Sequence, residues 1–346
     1  MAYVYKHFIP QNTAPKGAKS IGVYDGNGKK VCNIPLGKLV PPTETKLYSF
    51  GLLSDIHVYK KDENGENFSW VTWKPDKKLD DALSFFESQD CAFCAHCGDI
   101  TQTGFYMKIN ESDANEVPYF EVDQMAVFKD VCDRHTIPVY GCCGNHESYY
   151  GMSITQNMSA LKTYTGIEGL FYTVTYGNDA FIFISQPEGN TPMDDASFSS
   201  LRLYLEGNPN KRCFIFVHPH ISSGNPVGAY KSNPLFQNWK HFSAFKELLS
   251  NYPKTILFHG HTHVKFECQK QDENGIYSNQ DGFHSVHVPS SSTPRDVVSG
   301  ALVNRTDESQ GYIVDVYDDC IVLNGMDLIN NTPVPLGVYK IDTTTT

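Results

Sequence analysis

The 346-residue sequence lacks both a long apolar run and a basic leader. No stretch approaches the roughly 18 uncharged apolar residues of a membrane-spanning helix. The N-terminus, MAYVYKHFIPQNTAPKG, has no basic start followed by an apolar run and small residues for cleavage, so it does not resemble a signal peptide. We therefore expect a soluble, cytoplasmic protein with no membrane partner.

Basic residues are also scarce, because 28 Lys and Arg stand against 39 Asp and Glu, a formal charge of −11. Nucleic acids and anionic membranes repel such a protein, so neither is an expected partner. Charged residues make up only 19%, whereas the chain holds 21 Phe and 20 Tyr. This composition excludes a disordered or coiled-coil protein. The length fits about two domains, or one large domain with an extension.

The chain divides into three parts by pattern. In residues 1–46, short apolar segments at Ile21–Tyr24 and Lys30–Ile34 surround a Gly/Asn turn, which predicts a small β extension without a core of its own. Over residues 47–330, apolar strands alternate with amphipathic helices, the pattern of an α/β domain. The Thr-rich end, residues 331–346, is expected to be a tail or linker.

Ligand-type residues stand at the ends of five predicted strands. In α/β sheets the loops leaving the carboxyl ends of strands converge on one crevice, so we expect these side chains in one site. The outer residues of Asp-x-His and His-x-His can point the same way and reach one ion. The residues concerned are Asp55, His57, Asp99, Asn145, His146, His218, His261 and His263. Any one histidine is more often structural than a ligand, but the recurrence at five strand ends favours a metal centre. Oxygen and nitrogen donors suit Zn, Mn or Fe better than Ca, and a carboxylate such as Asp99 can bridge two ions.

The set Asp55-Ile-His57, Gly98-Asp99, Gly144-Asn-His-Glu147, His218 and Gly260-His-Thr-His263 resembles the calcineurin-like metallophosphoesterase superfamily over roughly residues 47–320. The resemblance implies an α/β (α+β) fold, a four-layer αββα sandwich with two sheets face to face and helices outside. It implies that one metal takes Asp55, His57, Asp99 and His263, and that the other takes Asp99, Asn145, His218 and His261. His146 would lie beside the phosphate as general acid or transition-state stabiliser, and a metal-bound hydroxide would attack.

Two histidines are alternatives or neighbours of these ligands. His218-Pro-His220 offers two candidates, and usage in the family favours His218, which leaves His220 in a supporting or substrate-facing role. His259 precedes the GHTH motif within its strand and is expected to be structural. The resemblance also narrows the subfamily: Cys143 stands where Ser/Thr phosphoprotein phosphatases carry arginine before GNHE, and Gln102 where purple acid phosphatases place an iron-binding tyrosine. These two branches are therefore not expected, and the resemblance points to the broad group of phosphodiesterases and phosphomonoesterases within the superfamily.

The cysteines suggest a second kind of metal site, since Cys91-x-x-Cys94-x-x-Cys97 has the spacing of zinc or iron–sulfur ligands. These residues lie in a predicted strand, however, where a spacing of three sends neighbours to opposite faces. We therefore expect them to pack in the core, and the same holds for Cys142-Cys143.

Two further features have alternative roles. Tyr149 and Tyr150 could stack on a nucleoside or be ordinary loop aromatics. Arg295 could bind a phosphate in a bidentate manner, although a surface salt bridge is the commoner role.

We thus expect a dinuclear metal-dependent phosphoesterase that acts on a small phosphoester, for example a nucleotide, and prefers diesters to monoesters. One alternative is a non-catalytic binding or scaffold protein of the same fold, against which stands the presence of every ligand position. Another is a catalytic module of a larger phage or cell-surface assembly, which the N-terminal strands and the Thr-rich end suggest.

Overall fold

The structure is a computed structural model. It describes residues 45–59, 61, 64–67, 69, 71–102, 122–147, 154–187, 191–220, 239–268, 282–299 and 301–344, and the backbone of strands at 20–24, 30–35, 105–108, 116–119 and 277–278.

The described elements alternate along most of the chain. The strands are β1 (Ser20–Tyr24), β2 (Lys30–Pro35), β3 (Tyr48–Leu53), β4 (Cys94–His96), β5 (Phe105–Lys108), β6 (Glu116–Tyr119), β7 (Val139–Gly141), β8 (Phe171–Tyr176), β9 (Asp179–Ile184), β10 (Cys213–Phe216), β11 (Thr255–His259), β12 (Tyr277–Ser278), β13 (His284–His287), β14 (Arg295–Val298), β15 (Ala301–Asn304), β16 (Gln310–Val316), β17 (Cys320–Asp327) and β18 (Thr332–Asp342). The helices are α1 (Pro75–Ser88), α2 (Val122–Cys132), α3 (Met158–Thr165), α4 (Asp195–Gly207) and α5 (Phe242–Ser250). None of the described helices is long and apolar enough to cross a membrane.

Two six-stranded sheets form the centre of the molecule. The first has the order β18-β17-β16-β3-β4-β7, in which β3, β4 and β7 are parallel and β16 to β18 are antiparallel. The second has the order β12-β13-β11-β10-β9-β8, in which β9, β10, β11 and β13 are parallel. The first sheet thus joins strands from the two ends of the α/β region.

Side-chain alternation along the strands produces the four layers. In β9, Phe181 and Phe183 pack between the sheets, whereas Ile182 and Ile184 face the layer that contains α4 and α5. On the outer side of the first sheet, α1 packs residues such as Leu83 against it, together with α2 and α3. Both faces of the parallel strands are therefore covered, which explains their continuous apolar runs. The predicted four-layer sandwich is confirmed.

The predicted role of residues 331–346 as a tail or linker is wrong for most of the stretch. Thr332–Asp342 forms β18, which pairs with β17, and its Tyr339 and Ile341 side chains are buried between the sheets. The Thr-rich end had indicated a linker, but the residues before it pair with β17, and β18 lies at the edge of its sheet, where its prolines are tolerated. At the other end of the chain, β1 and β2 pair antiparallel, as predicted. A separate extension over residues 1–46 stays a prediction.

The cysteines of the two motifs, Cys91, Cys94, Cys97, Cys142 and Cys143, pack in the core, as expected. Cys94 lies on the helix side of the first sheet and Cys97 between the sheets, and Cys143 and Cys142 divide in the same way. Burial raises the pKa of all four thiols, which keeps them protonated and poor metal ligands. Among the described residues, the groups that could hold a metal contain no cysteine.

Candidate metal centre

Ligand-type side chains follow the carboxyl ends of five strands, and the fold brings those ends together. β3 and β4 are parallel neighbours in the first sheet, as are β10 and β11 in the second. The loops that leave them meet at one edge of the sandwich. Two groups of potential ligand atoms result, each with its atoms within 4.8 Å of one another: Asp55, His57, Asp99 and His263 in the first group, and Asp99, His218 and His261 in the second.

In the first group, four donor atoms converge on one small volume. His57 Nε2 lies 3.0 Å from His263 Nε2, which lies 3.1 Å from Asp55 Oδ1. The distance from His57 Nε2 to Asp99 Oδ2 is 3.8 Å. Two nitrogens and two carboxylate oxygens therefore face one another.

The second group shares Asp99 with the first. Asp99 Oδ2 lies 3.1 Å from His218 Nε2, which is also 3.1 Å from His261 Nδ1. His261 Nδ1 is in turn 2.9 Å from Oδ1 of Asn145, which adds a neutral oxygen to this group. A carboxylate common to two ligand groups is the arrangement expected of a bridge between two ions.

Backbone carbonyls determine which nitrogen of two imidazoles faces the centre. Cys97 O lies 2.8 Å from His218 Nδ1, and Thr293 O lies 3.1 Å from His263 Nδ1. Because a carbonyl oxygen can only accept, each Nδ1 donates a hydrogen to it and each Nε2 faces the centre. Metal-ligating histidines are commonly oriented in this way.

The buried polar atoms of the first group fit a cation. Asp55 is fully buried, and its Oδ1 receives no hydrogen bond even though His263 Nε2 lies 3.1 Å away. His57 Nε2 and His263 Nε2 can share at most one hydrogen between them. A buried carboxylate oxygen and imidazole nitrogens with too few hydrogens form a donor set that suits Zn, Mn or Fe. The residues present therefore fit a metal ion.

The charge states of these groups also suit metal binding. Burial alone would raise the pKa of Asp55 and of Asp99, but the surrounding imidazoles lower both pKa values below the ordinary range, so both side chains are carboxylates. Burial lowers the pKa of His57, and it lowers the pKa of His261 to about 3, so both rings are neutral. Burial opposes protonation of His218, yet the Asp99 carboxylate raises the pKa of this ring to about 9, so a metal ion bound there would have to displace the hydrogen on Nε2.

The backbone at these motifs adopts a conformation that residues other than glycine seldom take. Positive φ angles occur at five of the candidate ligands: Asp55 (52°), His57 (53°), Asp99 (51°), His261 (76°) and His263 (62°). Such a conformation costs about 1–3 kcal/mol per residue and persists only where the surroundings hold it. Backbone strain is thus concentrated at this edge of the sandwich.

Two motif glycines permit the close approach of these loops. A Cβ on Gly144 would lie 2.6 Å from Asp99 N and 2.7 Å from His218 Cγ, and it would overlap the Asp99 carboxylate. A Cβ on Gly260 would lie 2.6 Å from Asp55 Oδ2. Only glycine fits at either position, which explains the glycines that open the GNHE and GHTH motifs.

His146 lies beside the ligand groups and belongs to neither. Its Nδ1 donates to Gln102 O, and its Nε2 lies 3.7 Å from Asp99 Oδ2. Its main-chain N–H donates to Asp99 Oδ1 at 3.0 Å. The His146 side chain is 17% exposed, whereas the His57 side chain is 2% exposed. His146 can therefore reach a molecule bound at the centre.

Glu147 has a role that the sequence reasoning did not assign. Its Oε1 accepts hydrogen bonds from Thr101 N at 2.8 Å and Thr101 Oγ1 at 3.0 Å, and its Oε2 accepts one from Gly144 N at 2.7 Å. This buried carboxyl group ties the loop after β7 to the loop after β4. The sequence signal for this role is the position of Glu147 at the end of the GNHE motif, next to residues of the site. A glutamate buried at such a position needs hydrogen-bond donors, which neighbouring loops can supply.

The two neighbouring histidines lie outside the ligand groups. His218, not His220, belongs to the second group, and the ring centroids of His220 and His261 are 6.4 Å apart. His259 is buried in β11, where its Nε2 lies 3.2 Å from Ser285 Oγ, in agreement with a structural role.

The structure does not assign a role at the centre to the other candidates, Arg295, Tyr149 and Tyr150. Arg295 Nε donates to Asn304 Oδ1 at 2.8 Å, and no ion pair of Arg295 is found among the described residues, so the expected surface salt bridge is not seen there. Tyr149 and Tyr150 lie outside the described residues.

A four-layer α/β sandwich with an Asp/His cluster at its strand ends is the framework of a metallophosphoesterase. The sequence profile described as "Calcineurin-like phosphoesterase" matches residues 48–265, which is more than half of the chain. The chain belongs to this family. It is therefore a metal-dependent phosphoric ester hydrolase, and the family depends on two metal ions and acts on small phosphoesters.

Solved structures of low sequence identity share the fold. A dimetal phosphatase from Danio rerio has a TM-score of 0.54 at 14% identity, with 87% of this chain and 100% of that chain covered. A purple acid phosphatase from yellow lupin (Lupinus luteus) also has a TM-score of 0.54, at 13% identity, with 93% of this chain and 59% of that chain covered. No curated protein sequence gave a significant match.

Proposed function

We propose that this chain hydrolyses phosphodiesters at a dinuclear metal centre and that His146 protonates the leaving oxygen. The observation that supports this most is the position of Asp99 in both ligand groups, with His146 Nε2 3.7 Å from its carboxylate. We assign the ligands as follows from the two groups: Asp55, His57, Asp99 and His263 to one ion, and Asp99, Asn145, His218 and His261 to the other.

The mixed donors of this set favour Zn, Mn or Fe. When bound, two such ions would polarise the phosphoryl oxygens and lower the pKa of a bound water. The protein's own contribution is to hold the ligands in place before substrate arrives, because both carboxylates, His218 and His263 are buried and hydrogen-bonded to the surrounding loops.

His146 is suited to proton transfer at a single atom. Since its Nδ1 hydrogen is engaged by Gln102 O, the proton is gained and lost at Nε2, on the side of the centre. A protonated Nε2 there can donate to the leaving oxygen of a bound ester.

The charges around the centre support a diester rather than a monoester. Within the described part of the chain, Asp55 and Asp99 form ion pairs only with histidines, and no lysine or arginine joins them. A phosphomonoester carries nearly two negative charges at neutral pH and gains more from extra fixed cations than a diester, which carries one.

The test of the substrate class compares bis-p-nitrophenyl phosphate with p-nitrophenyl phosphate in the presence of Mn²⁺. We expect a higher kcat/KM for the diester. The reverse order would replace the diester proposal by a monoesterase, and no turnover of either ester by the metal-loaded chain would contradict the proposed chemistry altogether.

The test of the site compares two variants. His146→Ala should retain metal and lose about 10²–10⁴-fold in turnover, whereas Asp99→Ala should lose metal. If His146 acts as the acid, the loss should be greater for a dinucleotide, whose alkoxide leaves poorly, than for the p-nitrophenyl ester. An equal loss on both substrates would indicate transition-state stabilisation instead. His241→Ala, at the exposed pair with Asp195, is the matched control and should match the unaltered chain.

A further inference from the structure

A short polar segment connects β13 to β14 beside the metal centre. It consists of Ser290, Ser291, Ser292 and Thr293 and is called here the 290–293 segment. Its three serines are buried. We propose that this segment, fixed by Lys78, positions Asp55 and His263 for metal binding. The inference rests on the proposed metal centre and adds residues that bind no metal themselves.

The first contact of the segment is with the backbone at Asp55. Ser290 Oγ and Ser292 Oγ donate to Asp55 O at 2.9 and 3.0 Å. Ser291 donates to Ser54 O twice, from N at 2.9 Å and from Oγ at 3.2 Å. These four hydrogen bonds restrain the peptide groups on both sides of Asp55, whose φ of 52° must be held by its surroundings. They therefore set the direction in which the carboxylate points.

The second contact is with the ring of His263. Thr293 O and Thr293 Oγ1 lie 3.1 and 3.0 Å from His263 Nδ1. This pair of oxygens fixes the ring orientation and leaves Nε2 toward Asp55 Oδ1. One segment thus orients two ligands of the same ion that come from opposite ends of the domain.

The segment is itself held by a donor at each carbonyl. Ser290 O accepts from Gln310 N at 3.2 Å, and Ser291 O accepts from Ser309 Oγ at 2.5 Å. Ser292 O accepts from Lys78 Nζ. Because every carbonyl has a partner, a shift of the segment would break several buried hydrogen bonds at once.

Lys78 joins this segment to a second loop. Its Nζ also donates to Thr306 O at 2.8 Å and to Glu308 O at 2.6 Å, so all three of its hydrogens bind main-chain carbonyls. Lys78 is 5% exposed. A buried ammonium is costly unless its donors are satisfied, and here it fastens α1 to the 290–293 segment and to the loop between β15 and β16.

The test is calorimetric titration of Mn²⁺ into the metal-free full chain, which measures metal affinity without turnover. Lys78→Met should raise the Kd for Mn²⁺ by about tenfold or more, the range for loss of groups that orient metal ligands. Lys78→Arg, which keeps donors at this position, should recover part of the loss. Lys77→Met is the matched control. Lys77 is the neighbour of Lys78 in the sequence, but its side chain is exposed and pairs with Asp81, so the Kd of this variant for Mn²⁺ should equal that of the unaltered chain.

A second variant decides the matter if Lys78→Met does not fold. Ser290→Ala combined with Ser292→Ala removes the two hydroxyls on Asp55 O, together with the acceptor that Ser290 Oγ offers to Ser292 N and Thr293 N, and should also raise the Kd by about tenfold. The d–d spectrum of the Co²⁺-loaded variant should differ from that of the unaltered chain, since the ligand geometry changes. A lower melting temperature with an unchanged Kd and spectrum would assign the segment a purely structural role and overturn the inference. Failure of the unaltered chain to bind Mn²⁺ or Co²⁺ would instead overturn the proposed metal centre.

Discussion

Adding a single methyl group at Gly144 should displace the Asp99 carboxylate, because the new Cβ has no room beside Asp99 and His218. In Gly144→Ala the new Cβ would lie 2.6 Å from Asp99 N, whereas ordinary contact begins near 3.4 Å, so one of the two must move by about 0.8 Å. Asp99 cannot easily yield, because its carbonyl accepts hydrogen bonds from Ile56 N at 2.8 Å and from His57 N at 2.9 Å. The displacement would therefore pass to the carboxylate that both ligand groups share.

A misplacement of about 1 Å at a reacting centre can cost 10²-fold in rate. We therefore expect Gly144→Ala to lower kcat/KM by about 10²-fold, which is about 2.7 kcal/mol of transition-state stabilisation, and to weaken Mn²⁺ binding. Steady-state kinetics and calorimetry measure the two effects, and circular dichroism checks the fold. Gly207→Ala is the control, because a Cβ there meets nothing within 4 Å. Unaltered kinetics and metal affinity in Gly144→Ala would refute the close-approach argument.

Two further predictions concern stability. Arg212→Met should lower the free energy of unfolding, measured in urea, by about 3–5 kcal/mol. It leaves the buried carboxylate of Asp179 without the charged partner that donates from Nε and Nη2 at 2.9 and 2.7 Å. Lys162→Met, at an exposed pair, should cost less than about 1 kcal/mol, and equal losses would contradict the role of burial. Hydrogen bonds from His135 and Thr136 lower the pKa of Glu87 from 4.5 to about 2, so its stabilising effect is present above pH 4.5 and is lost as the pH falls through 2. The stability gap between the unaltered chain and Glu87→Gln should therefore narrow over that range, and a gap independent of pH would be inconsistent with this linkage.

The side chains that the structure brings together at the strand ends were predictable because their signal is local. Asp55 and His57, like His261 and His263, stand two residues apart directly after an apolar run, and that spacing can be recognised without any tertiary information. The order of such motifs along an α/β chain then implies one sheet edge. Asn145 and His146 were found in the same way, because GNHE follows the run that ends in β7.

The contacts by which Lys78 and the 290–293 segment hold the candidate ligands in place had no local signal in the sequence. Lys78 and Ser292 are 214 residues apart, and a lysine on a helix pattern indicates an exposed side chain until the contact is seen. β18 was misassigned for a similar reason, since the Thr-rich end indicates a linker and the pairing of β18 with β17 has no local signal. Positive φ angles at Asp55 and Asp99 also escape prediction, because aspartate is not a residue that demands them.

The net charge of −11 illustrates how a global property can mislead about a site. It argued against phosphate-bearing partners, since like charges repel at long range. At the centre itself the fixed charges are two carboxylates, Asp55 and Asp99, among imidazoles of which His57 and His261 are held neutral by burial. Two divalent ions would add about +4 there and reverse the local sign where a phosphate would lie, and bound ions dominate the local potential. The net negative charge of the chain and an anionic substrate are therefore compatible, because ions held by Asp55, Asp99 and the surrounding imidazoles would set the field that a bound phosphate experiences.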